Sequence, residues 1–199
     1  MRLVLASGNP DKASEIAALL EGFDVVPRPT SVPEVDETGA TLEENALLKA
    51  RAVCEATGEV AVADDTGLEV DALDGAPGVR SARYSPAATY DANVDQLLAA
   101  LEGVPADARR ARFRTVAAAC FPDGRELVAE GAVEGTITPE RRGSAGFGYD
   151  PVFVPDDEAG GRTFAEMTPA EKQAISHRAR AFSALTSSLL GALTHRDGV

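Results

Sequence analysis

Residues 60–67 read Val-Ala-Val-Ala-Asp-Asp-Thr-Gly, a short apolar run that leads into two adjacent carboxylates and ends at a glycine. An apolar run of this length, bounded by a glycine, predicts a buried strand. Asp64 and Asp65 are then expected at its exit, sharing one small space. Two carboxylates so close raise at least one pKa unless a cation neutralises them, which indicates a metal site or a proton-transfer role. The alternative is a turn with a helix-capping or loop-bonding aspartate.

Strand and helix patterns alternate on both sides of this segment. Other strands are predicted at residues 3–6, 25–26, 67–70, 113–121, 127–137 and 149–154. Helices are predicted after Asn9-Pro10, at residues 41–57 and 91–101, and from Thr168 onward, where Leu185, Leu189 and Leu193 supply core contacts. Residues 122–125, Pro-Asp-Gly-Arg, favour a turn between two antiparallel strands. The alternation predicts an α/β fold: a mixed twisted sheet with flanking helices.

Composition restricts the possible partners and location. The formal net charge of −13 disfavours nucleic acid and anionic membranes as partners, because the average field repels both. Small phosphates remain possible where local cations or a divalent metal offset that field. No stretch has the length of a membrane span or the form of a secretory signal. Cys54 and Cys120 are interpreted as small buried side chains, with a reactive thiol as the lesser alternative, so we expect a cytoplasmic protein.

Two segments suit a phosphate and its counterion. Residues 7–12, Ser-Gly-Asn-Pro-Asp-Lys, lie between a predicted strand and helix, where backbone N–H groups and the helix dipole favour an anion. They lack the Walker A spacing, and an ordinary capped turn is the alternative. Further carboxylates follow, any one of which could join Asp65 at a magnesium ion or be solvated acid surface; they are Asp36, Glu37, Glu43 and Glu44.

Two later segments suit a flat base. Residues 143–151, Gly-Ser-Ala-Gly-Phe-Gly-Tyr-Asp-Pro, could present Phe147 as a stacking surface, or Phe147 could pack into the core. Lys172 and His177 would lie roughly 140° apart on one continuous helix. A helix break at Ser176 would let them converge with Arg178 on one ligand. Next to a cation, His177 is suited to binding rather than to a general base.

The motifs, taken in order, resemble the inosine/xanthosine triphosphate pyrophosphatase family. They are residues 5–12, 43–50, 63–68, 77–84, 146–151 and 171–178, and they span nearly the whole chain. The length of the chain predicts one domain over residues 1–199, with two lobes around a central cleft, and the resemblance implies that this cleft binds a nucleotide. The resemblance also implies hydrolysis of ITP, dITP or XTP to the monophosphate and pyrophosphate, Mg²⁺ as cofactor, and a homodimer.

Residue roles are carried over from the same resemblance. Asp65 would be the proton acceptor and, with Asp36, a metal ligand. The remaining predicted positions bind substrate: Ser7, Gly8, Asn9, Pro10, Asp11 and Lys12 at the triphosphate, Thr66 beside them, and Phe147, Gly148, Tyr149, Asp150, Lys172, His177 and Arg178 around the base. Thr66 stands where the family commonly has serine and Asp36 where it has glutamate, and both keep the functional group. The role of Asp64 stays open.

Two alternatives are retained. A pyrimidine nucleoside triphosphate pyrophosphatase of the Maf type is related in fold, although residues 7–9 and 176–178 argue against it. A nucleotide-binding regulator without catalysis would bind substrate and release no pyrophosphate. Selection for inosine and xanthosine has a chemical basis, because their 6-oxo group accepts a hydrogen bond from a cation such as Arg178, whereas adenine presents a 6-amino donor.

Overall fold

The computed structural model describes the backbone of residues 1–194 and the side chains of residues 1–192. The side chain of Leu193, predicted above to join the core, lies outside these described residues. The chain forms two compact units. Unit 1 contains Met1–Asp65, Thr115–Gly131 and the C-terminal helix from Arg178 onward, and unit 2 contains Thr66–Arg114 and Ala132–His177.

Seven strands and five α-helices are present in the described part of the chain. The strands are β1 (Arg2–Leu5), β2 (Asp24–Pro27), β3 (Ala61–Val70), β4 (Pro77–Gly78), β5 (Arg110–Cys120), β6 (Glu126–Ile137) and β7 (Phe153–Pro155). The helices are α1 (Pro10–Leu19), α2 (Leu42–Thr57), α3 (Tyr90–Ala100), α4 (Pro169–Ile175) and α5 (His177–Thr194).

Hydrogen bonds join the strands in the order β2-β1-β3-β5-β6-β7, with β4 also paired to β3. Strands β1 and β2 are parallel, as are β1 and β3, whereas the β3–β4 and β6–β7 pairs are antiparallel. The predicted turn connects β5 to β6, where Phe121 N–H donates to the Arg125 carbonyl and Gly124 N–H to that of Phe121. The mixed sheet with flanking helices confirms the predicted fold class.

Each unit has its own apolar core. In unit 1, Ile16 and Leu20 pack with Leu3 of β1 and with Phe182 and Leu185 of α5. In unit 2, the rings of Phe113, Phe153 and Phe164 pack together, and the Phe113 and Phe153 centroids are 4.7 Å apart. Burying aromatic rings contributes strongly to a core in a chain that contains no tryptophan.

Helix ends follow the local signals in the sequence. The Asn9 side chain accepts hydrogen bonds from the N–H groups of Asp11 and Lys12, and Pro10 begins α1. Ser176 is extended and separates α4 from α5, so the structure has the break rather than the continuous helix that was the other possibility. None of the helices, over the residues described, is long and apolar enough to cross a membrane.

Two predicted strand boundaries are wrong. Residues 61–70 form one continuous strand, β3, so Asp64 and Asp65 lie in its middle and no turn follows them. The polar residues continue the strand because neighbouring strands satisfy its backbone groups. The predicted strand at 149–154 is instead a 3₁₀ turn over Asp150–Val152 followed by β7, since Pro151 cannot donate a backbone hydrogen bond.

Candidate active site

The continuous course of β3 separates its two adjacent carboxylates. Successive side chains of a strand point to opposite faces of the sheet. Asp64 and Asp65 are both buried, and their nearest hydrogen-bond and ion-pair partners differ. Lys12 and Lys49 nevertheless interact electrostatically with both carboxylates, so the two aspartates belong to one charged cluster of unit 1.

Asp64 lies between two cations. Its Oδ2 is 3.5 Å from Lys12 Nζ and 3.3 Å from Arg178 Nε. Arg178 is only 1% exposed, and its Nη1 also donates to the carboxylate of Glu15 in α1. A buried guanidinium requires such partners, because an uncompensated charge in the interior costs several kcal/mol. Asp64 therefore forms ion pairs with both Lys12 and Arg178.

Asp65 meets residues of α2. Its Oδ2 accepts a hydrogen bond from Asn45 Nδ2 at 3.1 Å, and its Oδ1 is 3.6 Å from Lys49 Nζ. Lys49 Nζ also donates to Glu37 Oε1 at 2.7 Å. Asn45 and Lys49 are four residues apart, so both project from the same side of the helix. Lys49 thus bridges Asp65 and a second carboxylate.

Burial shifts the proton affinities of this cluster. It raises the pKa of Asp65 above the ordinary value, although Lys49 and Lys12 oppose that shift by attraction. Burial also lowers the pKa of Lys12, against the opposing attraction of Asp64. For Lys49, burial lowers the pKa but the nearby carboxylates, Asp65 first, outweigh it, so the net direction is upward. Asp65 is consequently a stronger base than an exposed aspartate.

The loop at residues 6–9 runs beside Asp64. Leu5 at the end of β1 is paired with Val62 of β3, and Ala6 N–H donates to the Val62 carbonyl at 2.8 Å. The last residue of β1 therefore lies opposite a residue only two positions before Asp64. Ser7 Oγ accepts from Asn9 N–H at 3.3 Å. Gly8 lies beside the exposed side chain of Glu34, whose Oε1 would be 2.6 Å from a Cβ at this position. The loop therefore leads from β1 into the first turn of α1, which carries Lys12 and so lies beside Asp64.

The second group of predicted residues lies in unit 2, around Asp150. Asp150 Oδ2 accepts from Lys172 Nζ at 2.6 Å and from Phe147 N–H at 2.8 Å. Lys172 Nζ is 4.8 Å from the Phe147 ring centroid, a cation–π distance. Gly146 adopts a φ of +71°, and a Cβ there would be 2.1 Å from Asp150 Oδ2. The loop around Phe147 is therefore held by one buried carboxylate.

Two predicted base-binding residues have side chains in the unit 2 core. His177 is 2% exposed and stacks on Phe113, with ring centroids 4.6 Å apart. Tyr149 is buried, and its hydroxyl donates to the Ser81 carbonyl at 2.9 Å. Burial raises the Tyr149 pKa, so this phenol stays protonated. His177 and Lys172 do approach one residue in common, Phe164.

The structure thus brings Lys12, Asp64, Asp65 and Arg178 into one cluster of unit 1, and Phe147, Asp150 and Lys172 into one group of unit 2. Thr66 is half-buried next to Asp65 on β3, and Gly148 has a φ of +63°. Asp36 is exposed, whereas its neighbour Glu37 reaches Lys49. Sequence reasoning missed Asn45, Lys49 and Glu15. The four-residue spacing of Asn45 and Lys49 inside a recognised motif was the available signal.

The carboxylates suit a hard divalent cation in chemistry. Asp65 and Glu37 are both in contact with Lys49 Nζ, so two oxygen ligands approach the same cationic group. Within the residues described, no three His, Cys, Asp or Glu side chains are grouped as metal ligands. Magnesium is compatible with that arrangement, because it commonly takes one or two carboxylates and completes its shell with water and substrate phosphates.

Comparison with known proteins identifies the family. A model of the Ham1 family matches residues 3–188. A protein named dITP/XTP pyrophosphatase from Nitratidesulfovibrio vulgaris is 53% identical, with 92% of this chain and 93% of that protein covered. One of the same name from Methylococcus capsulatus is 50% identical over 94% and 96%. The structure of a HAM1 protein from Coxiella burnetii has a TM-score of 0.86 at 41% identity, covering 96% and 99%. The chain therefore belongs to the Ham1 family, which confirms the resemblance seen in its ordered motifs.

Proposed function

We propose that this protein hydrolyses deaminated purine nucleoside triphosphates, ITP, dITP and XTP, to the monophosphate and pyrophosphate. The observation that carries the proposal is the buried Asp65, whose pKa is raised by burial and which lies beside the Lys49 cation. The relatives named dITP/XTP pyrophosphatase support the substrate class. Removal of such nucleotides cleanses the nucleotide pool.

Residues of unit 1 suit the triphosphate. Ser7, Gly8 and Asn9 precede α1, whose N-terminal N–H groups and dipole favour an anion. Pro10 and Asp11 form the first turn, and Lys12 adds a cation beside Asp64. Lys49, which the sequence did not single out, is the second cation available to phosphate oxygens. These charges offset the repulsion of a protein with a net charge of −13.

Hydrolysis at the α-phosphorus requires a water in line with the leaving group and a base to accept its proton. We assign that base to Asp65. The water oxygen bonds to the α-phosphorus, its proton passes to the carboxylate, and the bond to the oxygen bridging α and β breaks, releasing pyrophosphate. Lys12 and Lys49 supply positive charge for the developing negative charge. Asn45 holds the Asp65 carboxylate in one orientation through its 3.1 Å hydrogen bond.

The proposed cofactor is Mg²⁺, which when bound would neutralise phosphate charge and polarise the reacting phosphoryl group. Asp65 is the ligand we propose first. For the second carboxylate, the family resemblance predicts Asp36, whereas contact with Lys49 favours Glu37. A metal held by Asp65 and Glu37 would take the place of Lys49 as their cationic partner. Lys49 would then be available to contact phosphate oxygens. Asp36 stays a prediction until the two are tested separately.

We assign the purine ring of the substrate to unit 2. There Phe147 offers a half-buried ring for stacking, and Lys172 offers an N–H donor for the 6-oxo group. Gly148, Tyr149 and Asp150 belong to the same loop. Tyr149 and Asp150 are buried, so we assign them to holding the loop in place rather than to direct contact with the substrate. The predicted role of Arg178 at the base has to compete with its ion pairs to Asp64 and Glu15. A contact from Thr66 and His177 stays a prediction, as do the homodimer and the cytoplasmic location.

A substrate panel tests the proposal. Pyrophosphate release is measured for XTP, ITP, dITP, ATP, GTP and UTP, each with and without Mg²⁺. We expect turnover of the first three, little of the others, and none without the metal. Preferred hydrolysis of UTP would favour the Maf-type alternative. Binding of ITP without any pyrophosphate release would favour a regulator, and equal turnover of all six would refute the substrate assignment.

A further inference from the structure

Tyr90 is an exposed aromatic residue beside the proposed base site. Tyr90 is 42% exposed. Its ring centroid is 5.8 Å from the centroid of the Phe147 ring, and the two ring planes are inclined by 36°. The chain has no tryptophan and only three tyrosines, one of which, Tyr149, is buried in the core. Part of the ring is in solvent, so it is accessible to a ligand that approaches Phe147.

The backbone that carries Tyr90 is held in a conformation that few residues adopt. Ala88, two residues earlier, has a φ of +50°, a region that residues other than glycine rarely adopt. Thr89 then caps α3 by accepting from Ala92 N–H. Asn93 fixes the preceding turn, since its Oδ1 accepts from the N–H of Ser85 at 2.8 Å. The strained turn therefore presents Tyr90 at the first position of the helix.

The segment that carries Phe147 is tied to the same helix. Arg141 Nη1 donates to Asp95 Oδ1 at 2.7 Å, and its Nη2 donates to the Asp91 carbonyl at 2.8 Å. At the other end of the segment, Phe147 N–H donates to Asp150. The two rings are thus anchored to one rigid framework of unit 2, so their separation is set by hydrogen bonds as well as by their own contact.

The Phe147 ring has two different neighbours. Lys172 Nζ lies 4.8 Å from its centroid and Tyr90 contacts it as a tilted aromatic pair. The two rings are inclined by 36°, so a flat base that stacks on Phe147 would meet Tyr90 at an angle and gain apolar contact at its side. Stacking of bases on aromatic side chains contributes substantially to nucleotide affinity.

We propose that Tyr90 is a positioning and base-affinity residue, which orients the Phe147 ring on which the purine stacks and adds apolar contact beside it. The inference rests on the proposed function, because it deepens the assignment of the base to unit 2. Tyr90 holds the Phe147 ring at the angle seen here and extends the apolar surface toward the second ring of the base. The hydroxyl group has no part in this role, so phenylalanine can replace tyrosine.

The test measures binding of the product IMP by calorimetry to the full chain and to three variants. Tyr90→Ala removes the ring and Tyr90→Phe keeps it, while Gln96→Ala changes an exposed residue of the same helix and serves as control. We expect Tyr90→Ala to weaken IMP binding about 3- to 10-fold, the range of a lost aromatic pair. Tyr90→Phe and Gln96→Ala should stay within about 2-fold. Inorganic pyrophosphate, titrated in parallel, should bind all four proteins equally.

Three results with the Tyr90 variants would overturn the inference: unchanged IMP affinity in Tyr90→Ala, an equal loss in Tyr90→Phe, or an equal loss of pyrophosphate affinity, which would indicate general disruption. Turnover of ITP is measured on the same samples, where we expect KM to rise in Tyr90→Ala with kcat nearly constant. Absence of ITP turnover in the unsubstituted protein would refute the proposed function alone, because the IMP titrations still decide the role of Tyr90. Absence of IMP binding to the unsubstituted protein would refute the inference.

Discussion

Replacing Asp65 by asparagine tests the proposed base with the smallest change of shape. The side chain keeps its volume, and its remaining carbonyl oxygen can still accept the hydrogen bond that Asn45 Nδ2 now donates at 3.1 Å. What is lost is the negative charge 3.6 Å from Lys49 and the ability to accept a proton. The variant therefore separates chemistry from packing.

The expected loss follows from general-base catalysis. A positioned base contributes typically 10²–10⁴-fold, so kcat for ITP should fall by at least about 10²-fold. That factor corresponds to about 3–5 kcal/mol in the activation barrier. KM should change less than kcat, because Asn9 holds the first turn of α1 through its own hydrogen bonds with Asp11 and Lys12, which the substitution leaves in place.

The stability of Asp65→Asn should be equal to or higher than that of the unsubstituted protein. Burial raises the pKa of Asp65 in the folded state. Below the pKa of the unfolded chain both states hold the proton, and above it the unfolded chain ionises more readily, so the folded state is penalised as pH rises. A neutral asparagine removes that penalty at pH 7. Function at this position is thus obtained at some cost in stability.

The assay combines pyrophosphate release from ITP in Mg²⁺ with thermal unfolding in a chelator, so that metal binding does not mask the stability change. Asp107→Asn, an exposed aspartate in a 3₁₀ turn of unit 2, is the matched control and should retain activity within about 2-fold. Near-normal kcat in Asp65→Asn would move the base to another residue. A fall in Tm of more than about 5 °C would refute the electrostatic reasoning.

Three further outcomes are expected. Glu37→Gln should raise the Mg²⁺ concentration for half-maximal activity several-fold while Asp36→Asn leaves it unchanged, and the reverse order would restore Asp36 as the ligand. Asp150→Asn should lower the free energy of unfolding by about 3 kcal/mol in urea titrations, because it leaves the buried Lys172 ammonium without its carboxylate; a change below about 1 kcal/mol would show that the pair is effectively solvated. The native Cys120 thiol should resist iodoacetamide at pH 8, since burial raises its pKa to about 12 and only about one thiol in 10⁴ is then ionised, whereas modification at the rate of an unfolded control would contradict this.

Local signals predicted the parts of the fold that depend on neighbouring residues in the chain. Asn9 and Pro10 begin α1, and Thr168 with Glu171 forms the reciprocal capping box of α4. The break at Ser176 was one of two possibilities that the local sequence allowed, because a serine there can cap a following helix. These interactions are short in sequence, so the residues themselves specify them.

Partners distant in sequence could not be predicted in the same way. The interactions that define the site join residues far apart: Asn45 with Asp65, Lys49 with both Glu37 and Asp65, and Arg178 with Asp64 and Glu15. Each depends on the register of β1 against β3 and on which side of α2 faces the sheet. No local pattern contains that information, since the side chains lie up to 163 positions apart.

The class of fold, the family with its six ordered motifs, and Asp65 as the candidate base all follow from the amino-acid sequence. The different nearest partners of Asp64 and Asp65 follow only from the three-dimensional structure. An apolar run before Asp64 and a glycine after Asp65 look like the end of a strand, but pairing with neighbouring strands supplies hydrogen bonds to the polar residues and carries β3 through to Val70. Because side chains alternate along that strand, Asp64 holds Lys12 and Arg178 while Asp65 is directed to Asn45 and Lys49.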